Sequence, residues 1–145
     1  MVKNLVIITL LLAGGVYVYI KSMQNNNQIE EVAHVSVADL VAHPEQYDQK
    51  KVRVVGVAKI GFETTALYES AEDRANANTN QAVWLEIPVP EKTKLLEDAL
   101  EVREKTKQWD GTLVVAEGVF VSDRKGHLGM YSGILINVTL SDAKQ

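Results

Sequence analysis

The sequence predicts a mainly β domain with a few helices, in which five strands close into a Greek-key barrel. Five short stretches alternate apolar and polar residues, which is the pattern of half-buried strands, and one amphipathic helical stretch separates the third from the fourth. Gly56 and Gly118 stand inside two of these strands, where a long strand of a small barrel must bend. A chain of 145 residues has room for one such domain.

The chain begins with an apolar segment that is distinct from the barrel. No charged residue occurs between Asn4 and Ile20. As a helix, residues 5–20 would span roughly 24 Å, slightly less than the hydrocarbon core of a bilayer, which is about 30 Å thick. Lys3 and Lys21 can reach the headgroups, so residues 1–21 are predicted to anchor the chain in the inner (cytoplasmic) membrane as a single transmembrane helix. A cleaved signal peptide and a buried core helix are the alternatives.

The charges around this segment favour a barrel outside the cytoplasm. The α-amino group and Lys3 precede the span and Lys21 follows it, so a slight excess of positive charge lies on the N-terminal side. Residues 22–34 are polar and are predicted to be a tether; the barrel domain then covers residues 35–141, and residues 142–145 form a tail. The barrel is therefore expected to be periplasmic or otherwise extracytoplasmic.

A short helix and three strands open the predicted domain. Ser36 can cap a helix that ends near Pro44. The first strand is KVRVVGVAKIGF, the second is TTALYES and the third is AVWLEI. The side chains expected to point inward from the first and third strands are Val52, Val54, Ala58, Ile60, Phe62, Val83, Leu85 and Ile87. Trp84 and Glu86 are expected on the outer surface.

A helix and two further strands complete the domain. Apolar residues recur at helical spacing between Glu91 and Gln108, Pro90 suits the first helical position, and this helix is expected to plug the barrel. Alternation returns in TLVVAEGVFVSD, the fourth strand, and in GILINVTL, the fifth. The residues expected on the buried face of the fifth strand are Ile134, Ile136, Val138 and Leu140. This order of elements is that of a five-stranded barrel of the OB type.

Three phrases cover most of the chain after the tether. They are SVADLVAHPEQYDQKKVRVVGVAKI, ALYESAEDRANANTNQAVWLEI and VVAEGVFVSDRKGHLGMYSGILINVTL. Together they resemble an uncharacterised family of small bacterial OB-fold proteins, membrane-anchored or exported. The resemblance implies a fold and no activity. The turn Asp48-Gln49-Lys50 departs from the pattern, because members of such a family are expected to carry glycine there.

Composition argues against several functions. Apart from Lys3 and Lys21, the chain carries 13 basic and 19 acidic side chains, a net charge of −6. This charge disfavours nucleic acid, whose binding depends on basic residues. The chain has no cysteine, which excludes disulfides, thiol catalysis and cysteine-based metal sites. His34 and His43 lie nine residues apart, a spacing that does not suit a metal site on a helix, so neither a metal nor another cofactor is expected.

The candidate binding surface lies around RKGHLGMYSG, the loop between the fourth and fifth strands. OB barrels bind ligands on strands two and three and in the loops after strands one and four. Aromatic side chains on such a face can stack on bases or sugars, and basic side chains can hold anions. The candidate ligand-binding residues are Tyr68, Trp84, Arg124, His127 and Tyr131.

A structural role for the same loop is the alternative. Gly126 and Gly129 would take positive φ in a compact turn, which His127 and Tyr131 would fix by hydrogen bonds. Trp84 would then be covered by the Asn-rich loop before the third strand or by the N-terminal helix. No catalytic residue is expected, because the turn has a single carboxylate nearby and offers no paired acid and no triad.

The sequence therefore predicts a membrane-tethered binding or interaction module that is not an enzyme and has a protein or a small molecule as its partner. A domain that binds oligonucleotides or nucleotides is the alternative. A weaker alternative is a haem chaperone of cytochrome c maturation, which the single anchor, the barrel and the spacing of His127 and Tyr131 resemble. In that family the histidine follows the barrel, whereas here the strand over residues 133–140 comes after it.

Overall fold

A computed structural model describes residues 7–12, 15–20, 32–61, 63–88 and 95–143 of the chain. The strands are β1 (Ile7–Leu12), β2 (Gly15–Ile20), β3 (Ala33–Ser36), β4 (Lys51–Ile60), β5 (Thr65–Tyr68), β6 (Ala82–Glu86), β7 (Leu113–Val121) and β8 (Ile134–Asp142). The helices are α1 (Val37–Ala42), α2 (Pro44–Tyr47), α3 (Ala71–Ala75) and α4 (Leu95–Lys107). Phe62 and Pro90, which the sequence assigns to the first strand and to the start of the plugging helix, lie outside the described residues.

Strands β4 to β8 form a closed barrel. Their order is β4-β5-β6-β8-β7, and β7 pairs back on β4 over the register from Lys51↔Val119 to Val57↔Leu113. β6 and β8 run parallel, and the other neighbouring pairs of the barrel are antiparallel. The predicted mainly β architecture with a five-stranded barrel is confirmed, and the strand order is compatible with the OB type.

The central strand, β4, pairs with three other strands. On one edge its residues 51–57 pair with β7; on the other edge residues 52–55 pair in parallel with β3, and residues 57–60 pair with β5. Gly56 stands where the partner changes from β3 to β5. A Cβ at Gly56 would lie 2.7 Å from Leu67 Cγ, so only glycine fits this close crossing.

The second predicted bend, at Gly118, coincides with a β-bulge between β7 and β8. The register passes from Glu117↔Thr139 to Val119↔Ile136, so β8 contributes one more residue than β7 to this step. A Cβ at Gly118 would lie 2.7 Å from the carbonyl oxygen of Ile136. Both glycines that the sequence singled out therefore occupy positions where a strand changes its pairing.

The bulge changes which residues of β8 face the core. Leu135 and Val138 belong to the main core, and Asn137 between them has φ 55° and is exposed. Ile136, which alternation placed inward, is half-buried and outside the core, because the extra residue shifts the alternation by one. The residues of the main core are Val37, Leu40, Val52, Val54, Ala58, Leu67, Val83, Leu85, Val114, Ala116, Phe120, Leu135 and Val138.

Among the described side chains, those of α1 reach the barrel core and those of α4 do not. Ser36 caps α1: its Oγ accepts a hydrogen bond from the Asp39 N–H at 3.0 Å, and the Asp39 carboxylate accepts one from the Ser36 N–H at 3.2 Å. Val37 and Leu40 have no exposed surface. The described side chains of α4 are exposed or half-buried, and Leu100 is 49% exposed. Among the described side chains it is therefore the short helix after β3 that fills the core, and the plugging role expected of the later helix stays a prediction, because the side chains of Leu95, Leu96 and Ala99 lie outside those described.

The turn before β4 keeps the geometry that glycine would give it. Gln49 has φ 59°, and its N–H donates to the Phe120 carbonyl oxygen at 2.8 Å. The Lys50 N–H donates to the Tyr47 carbonyl oxygen at 3.0 Å. The departure from glycine at this turn therefore places a glutamine in the left-handed region and leaves the connection to β7 intact.

The segment predicted to be a transmembrane helix has strands in its described part. β1 and β2 pair antiparallel, with Ile7 opposite Ile20 and Leu12 opposite Gly15. Both stretches are rich in β-branched residues, which favour strands, and apolar character alone does not separate a strand from a buried helix. No helix among the described residues combines the length and the apolar composition that crossing a bilayer requires. A pair of strands thus replaces the expected helix in the described part of residues 1–21.

Replacing Gly56 by alanine tests the close crossing of β4 over β5. Overpacking typically costs about 1–3 kcal/mol, and we expect Gly56→Ala to lower the free energy of unfolding in urea by about that amount. Gly61→Ala is the matched control, because a Cβ there would lie 3.5 Å from the Thr64 carbonyl oxygen, an ordinary contact. Equal unfolding free energies for the two variants would contradict the crossing.

Candidate functional site

Trp84 lies on the outer surface of the barrel at the centre of the candidate site. It pairs with Ala66 of β5 on one edge and with Ile134 of β8 on the other, and its N–H donates to the Gly133 carbonyl oxygen at 3.0 Å. Alternation along β6 buries Val83 and turns Trp84 outward, as predicted. The indole is nevertheless half-buried, because the loop between β7 and β8 folds over it.

This β7–β8 loop, residues 122–133, is a compact turn that contains three residues with positive φ. Gly126, Leu128 and Gly129 have φ angles of 65°, 55° and 70°. The Tyr131 N–H closes the turn by donating to the Lys125 carbonyl oxygen at 3.0 Å. The positive φ predicted for the two glycines is confirmed.

Leu128 is unusual in this turn. A side chain larger than glycine costs roughly 1–2 kcal/mol in the left-handed region. Burial does not offset this cost, because the Leu128 side chain is 79% exposed. Met130, two residues further on, is 47% exposed. Residues 128–130, the loop tip, therefore present apolar surface to solvent.

The β7–β8 loop covers Trp84 with three groups. The His127 ring stacks on the indole, with ring centroids 6.0 Å apart and planes 21° from parallel. The Tyr131 ring meets the indole edge-on, at 5.2 Å and 62°. Gly126 lies so close that a Cβ there would be 2.6 Å from Trp84 Cβ. The contacts that cover Trp84 thus come from this loop, where the structural alternative had expected the Asn-rich loop or the N-terminal helix.

A small second core lies beneath Trp84, formed by Ala66, Tyr68, Ala82 and Tyr131. Tyr68 is on the same outer side of the barrel as Trp84, but it has no exposed surface and does not reach the candidate binding surface. Its hydroxyl is buried and has no hydrogen-bond partner among the described residues. Burial, together with Tyr131, raises the pKa of Tyr68 to about 12. Both tyrosines therefore belong to the buried cluster on which Trp84 packs, and neither lines the candidate binding surface.

A groove of about 350 Å³ opens beside the covered indole. The residues that line it are Trp84, Glu86, Arg124, Lys125, Gly126, His127 and Ile134. Three of the predicted ligand-binding residues, Trp84, Arg124 and His127, come together here. Sequence reasoning did not name Glu86 and Ile134 as site residues. Glu86 lies two positions after Trp84 and therefore shares its face of β6, a signal that the alternation already contained.

The groove carries charges of both signs. Arg124 Nη2 lies 2.6 Å from Glu86 Oε2, and both side chains are about half exposed. Such surface pairs contribute about 0–1 kcal/mol, so a ligand anion can replace the Glu86 carboxylate at small cost. The Lys125 Nζ donates to the Ser132 carbonyl oxygen at 2.9 Å and remains exposed. The groove is thus suited to an anionic group next to an apolar one.

Both ends of the β7–β8 loop are fixed to the barrel. The Asp48 carboxylate accepts a hydrogen bond from the Ser122 N–H at 2.8 Å, and this bond holds the pKa of Asp48 below its usual value. At the other end the Ser132 hydroxyl donates to the Asn80 carbonyl oxygen at 2.6 Å. The Ser132 N–H donates to the Ala82 carbonyl oxygen at 3.1 Å. The wall of the groove is therefore held over the barrel by contacts within the chain.

The histidines lie on separate elements. His34 lies in β3 and His43 directly after α1, both exposed, whereas His127 stacks on the indole of Trp84. In the part of the chain that the structure describes, no group of three or more histidine, aspartate or glutamate side chains is arranged to hold a metal ion. The chemistry available at the groove is stacking, apolar contact and ion pairing.

No family model, curated protein or solved structure matches this chain. The resemblance to a family of small bacterial OB-fold proteins therefore stays a prediction. The groove and the β7–β8 loop are the features from which a function can be proposed.

Replacing Gly126 by alanine tests the packing of the β7–β8 loop on Trp84. The added Cβ would stand 2.6 Å from Trp84 Cβ, so we expect the loop to move and the indole to become more exposed. Trp84 and Trp109 are the two tryptophans of the chain, so in a Trp109→Phe background the emission reports on Trp84 alone. The emission should shift to longer wavelength, and quenching by acrylamide should increase.

Gly129→Ala is the control for this variant. Gly129 also has positive φ, 70°, but a Cβ there would meet nothing within 4 Å. Both variants should lose stability, by roughly 1–2 kcal/mol, because alanine is strained in the left-handed region. Only Gly126→Ala should change the Trp84 emission, and identical spectra for the two variants would contradict the described packing.

Proposed function

We propose that this chain is a membrane-tethered binding module whose OB-type barrel holds a small molecule, or a short segment of a protein partner, in the groove at Trp84. The groove itself carries the proposal. Its volume of about 350 Å³ lies at the lower end of the range of ligand sites, about 300–1,000 Å³. No catalytic step is proposed, because the groove offers means of binding and no activated nucleophile.

The ligand that best suits this groove combines an apolar group with a carboxylate or another anion. Trp84 and Ile134 would contact the apolar group. Arg124 would exchange its ion pair with Glu86 for one with the ligand, and Lys125 would add a second positive charge. Such a ligand would replace the exposed Arg124–Glu86 ion pair, which contributes little to the stability of the free protein.

Residues 1–21 would supply the tether. The uncharged run from Asn4 to Ile20 favours transfer from water into a bilayer, and the positive charge in front of it favours an extracytoplasmic barrel. A pair of strands such as β1 and β2 would leave unsatisfied backbone groups in hydrocarbon. The proposal therefore requires this segment to be helical when it is inserted.

A barrel that binds single-stranded nucleic acid is the second candidate, favoured by the place of Trp84 on the face of the second and third barrel strands. Two observations oppose it. Apart from Lys3 and Lys21 the chain carries 13 basic and 19 acidic side chains, a net charge of −6. The His127 ring also occupies a face of the indole on which a base would stack.

The hypothesis of a haem chaperone has less support than either candidate. His127 is half-buried against Trp84, and the strand β8 follows it in the chain.

The topology of the full chain tests the tether. A reporter that is active only outside the cytoplasm, fused after Gln145, should be active, and the protein should remain in the membrane fraction after alkaline extraction. Leu11→Arg places a charge within the uncharged run at a cost of about 2.5–3.5 kcal/mol at the centre of a span, so this variant should be released. Val32→Arg, beyond the run, is the control. Activity of a cytoplasmic reporter at the same site would overturn the proposed location.

Binding at the groove is tested with N-acetylphenylalanine and, as a matched probe, its uncharged amide. In the Trp109→Phe background the Trp84 emission should respond saturably to the carboxylate, and about tenfold more weakly to the amide, because a charge-assisted hydrogen bond contributes about 1.5–3 kcal/mol. Lys125→Gln should weaken the response, whereas Lys50→Gln, an exposed lysine outside the groove, should not.

Two outcomes count against this assignment. A stronger response to oligo(dT) at low salt than to the carboxylate would favour the nucleic-acid candidate. Equal responses to the carboxylate and the amide would show that the groove does not recognise an anion.

A further inference from the structure

The loop tip, residues 128–130, exposes apolar surface that neither the core nor the groove uses. Leu128 is 79% exposed and Met130 is 47% exposed, and neither lines the groove. Leu128 also has φ 55°, a conformation that asparagine and aspartate adopt more readily than leucine. Glycine, asparagine and aspartate are the residues that turns favour in this conformation. A contact outside the chain would explain why an exposed leucine stands at this strained position.

We propose that the loop tip docks on a lipid surface, with Leu128 and Met130 inserted among the headgroups of the membrane that holds residues 1–21. This interaction goes beyond the ligand of the groove, and it rests on the proposed tether. Inserted apolar side chains of this kind reach about 5–10 Å into the boundary between headgroups and acyl chains.

The loop tip and the entry of the chain lie at the same end of the barrel. β3 begins at Ala33, opposite Val52 of β4, and Val52 in turn pairs with Gly118 of β7. β3 and β4 run parallel and β7 runs the opposite way, so β3 begins at the end where β7 leads into the loop. Two strand spacings, about 10 Å, separate Ala33 from Gly118. The chain that arrives from the membrane thus enters beside the loop that carries the tip.

The length of the connection limits how far the barrel can stand from the bilayer. Residues 22–32, eleven in number, separate the apolar segment from β3. Fully extended, they span at most about 40 Å. The β4–β5 loop and the last residue of β8 lie at the opposite end of the barrel. The end that carries the loop tip is therefore the one that the connection brings to the lipid surface.

The charges around the loop tip favour apolar insertion over electrostatic attraction. Arg124 is paired with Glu86 at 2.6 Å, and Asp123, two residues before Lys125, carries a negative charge. Apart from Lys3 and Lys21, the chain carries 13 basic and 19 acidic side chains, a net charge of −6. Anionic lipid would repel this net charge within a Debye length of about 8 Å at physiological salt. Docking should therefore occur on zwitterionic lipid, which has no net charge, and its strength should depend little on the salt concentration.

A probe at the loop tip tests the docking. Because the chain has no cysteine, Met130→Cys provides a single thiol for an environment-sensitive fluorophore. The full chain is reconstituted into phosphatidylcholine vesicles, and quenching by spin-labelled lipid is measured. We expect quenching at least about twofold stronger than for the same label at Glu63→Cys, an exposed position in the β4–β5 loop at the other end of the barrel.

Leu128→Asn separates docking from a structural role. Asparagine tolerates positive φ better than leucine, so the unfolding midpoint of the variant should be unchanged or higher. Quenching of the label at position 130 should nevertheless fall about twofold, to the level found at position 63, because the inserted apolar group has been removed. Unchanged quenching in this variant would overturn the proposal.

A label at Leu11→Cys separates failure of the docking from failure of the tether. Strong quenching at position 11 with weak quenching at position 130 would leave the tether in place and overturn the docking. Weak quenching at both positions would overturn both proposals. A blue-shifted emission at position 130 that lipid spin labels do not quench would indicate a protein contact instead, and this too would overturn the docking.

Discussion

The pairing of β4 on both of its edges is the constraint on which the rest of the structure depends. One edge joins β7 and closes the barrel, and the other joins β3 first and β5 afterwards. Gly56 permits the change of partner because a side chain there would collide with Leu67. Since β3 takes the first half of that edge, α1 follows over the barrel and contributes Val37 and Leu40 to the core. The entry of the chain, the helix in the core and the start of the β7–β8 loop are all placed by this one strand.

Alternation predicted the fold wherever the strands keep a regular register. The inward residues Val52, Val54, Val83 and Leu85 were correctly predicted, because no extra residue interrupts β4 or β6. In β8 the same argument held for Val138, which lies in the core, and failed for Ile136, because the bulge at Asn137 shifts the alternation by one residue. The one local signal is the asparagine itself, which tolerates positive φ better than its apolar neighbours. The alternating pattern is taken from one strand alone, so it does not reveal a position at which that strand has an extra residue relative to its partner.

The candidate site was predicted only in part, because its coverage depends on contacts between distant segments. The outward position of Trp84 follows from its strand, and the positive φ of Gly126 and Gly129 follows from residue type. The burial of Tyr68 does not follow from its strand, since it depends on Tyr131 and on a loop more than fifty residues later. Spacing within a helix likewise predicts an apolar stripe but not the surface against which the stripe packs, and the plugging role expected of the later helix stays a prediction, because the side chains of Leu95, Leu96 and Ala99 lie outside those the structure describes.

The wall of the groove and the proposed membrane contact belong to one short segment. His127 stacks on Trp84, and Leu128, the next residue, is exposed at the loop tip. The two ends of the loop are fixed to the barrel at Ser122 and Ser132, so a backbone shift of His127 away from Trp84 also moves the loop tip. In the proposed arrangement a ligand that displaces His127 would therefore change the contact with lipid, and lipid that fixes Leu128 would change the affinity of the groove by the same free energy, because such coupling is reciprocal.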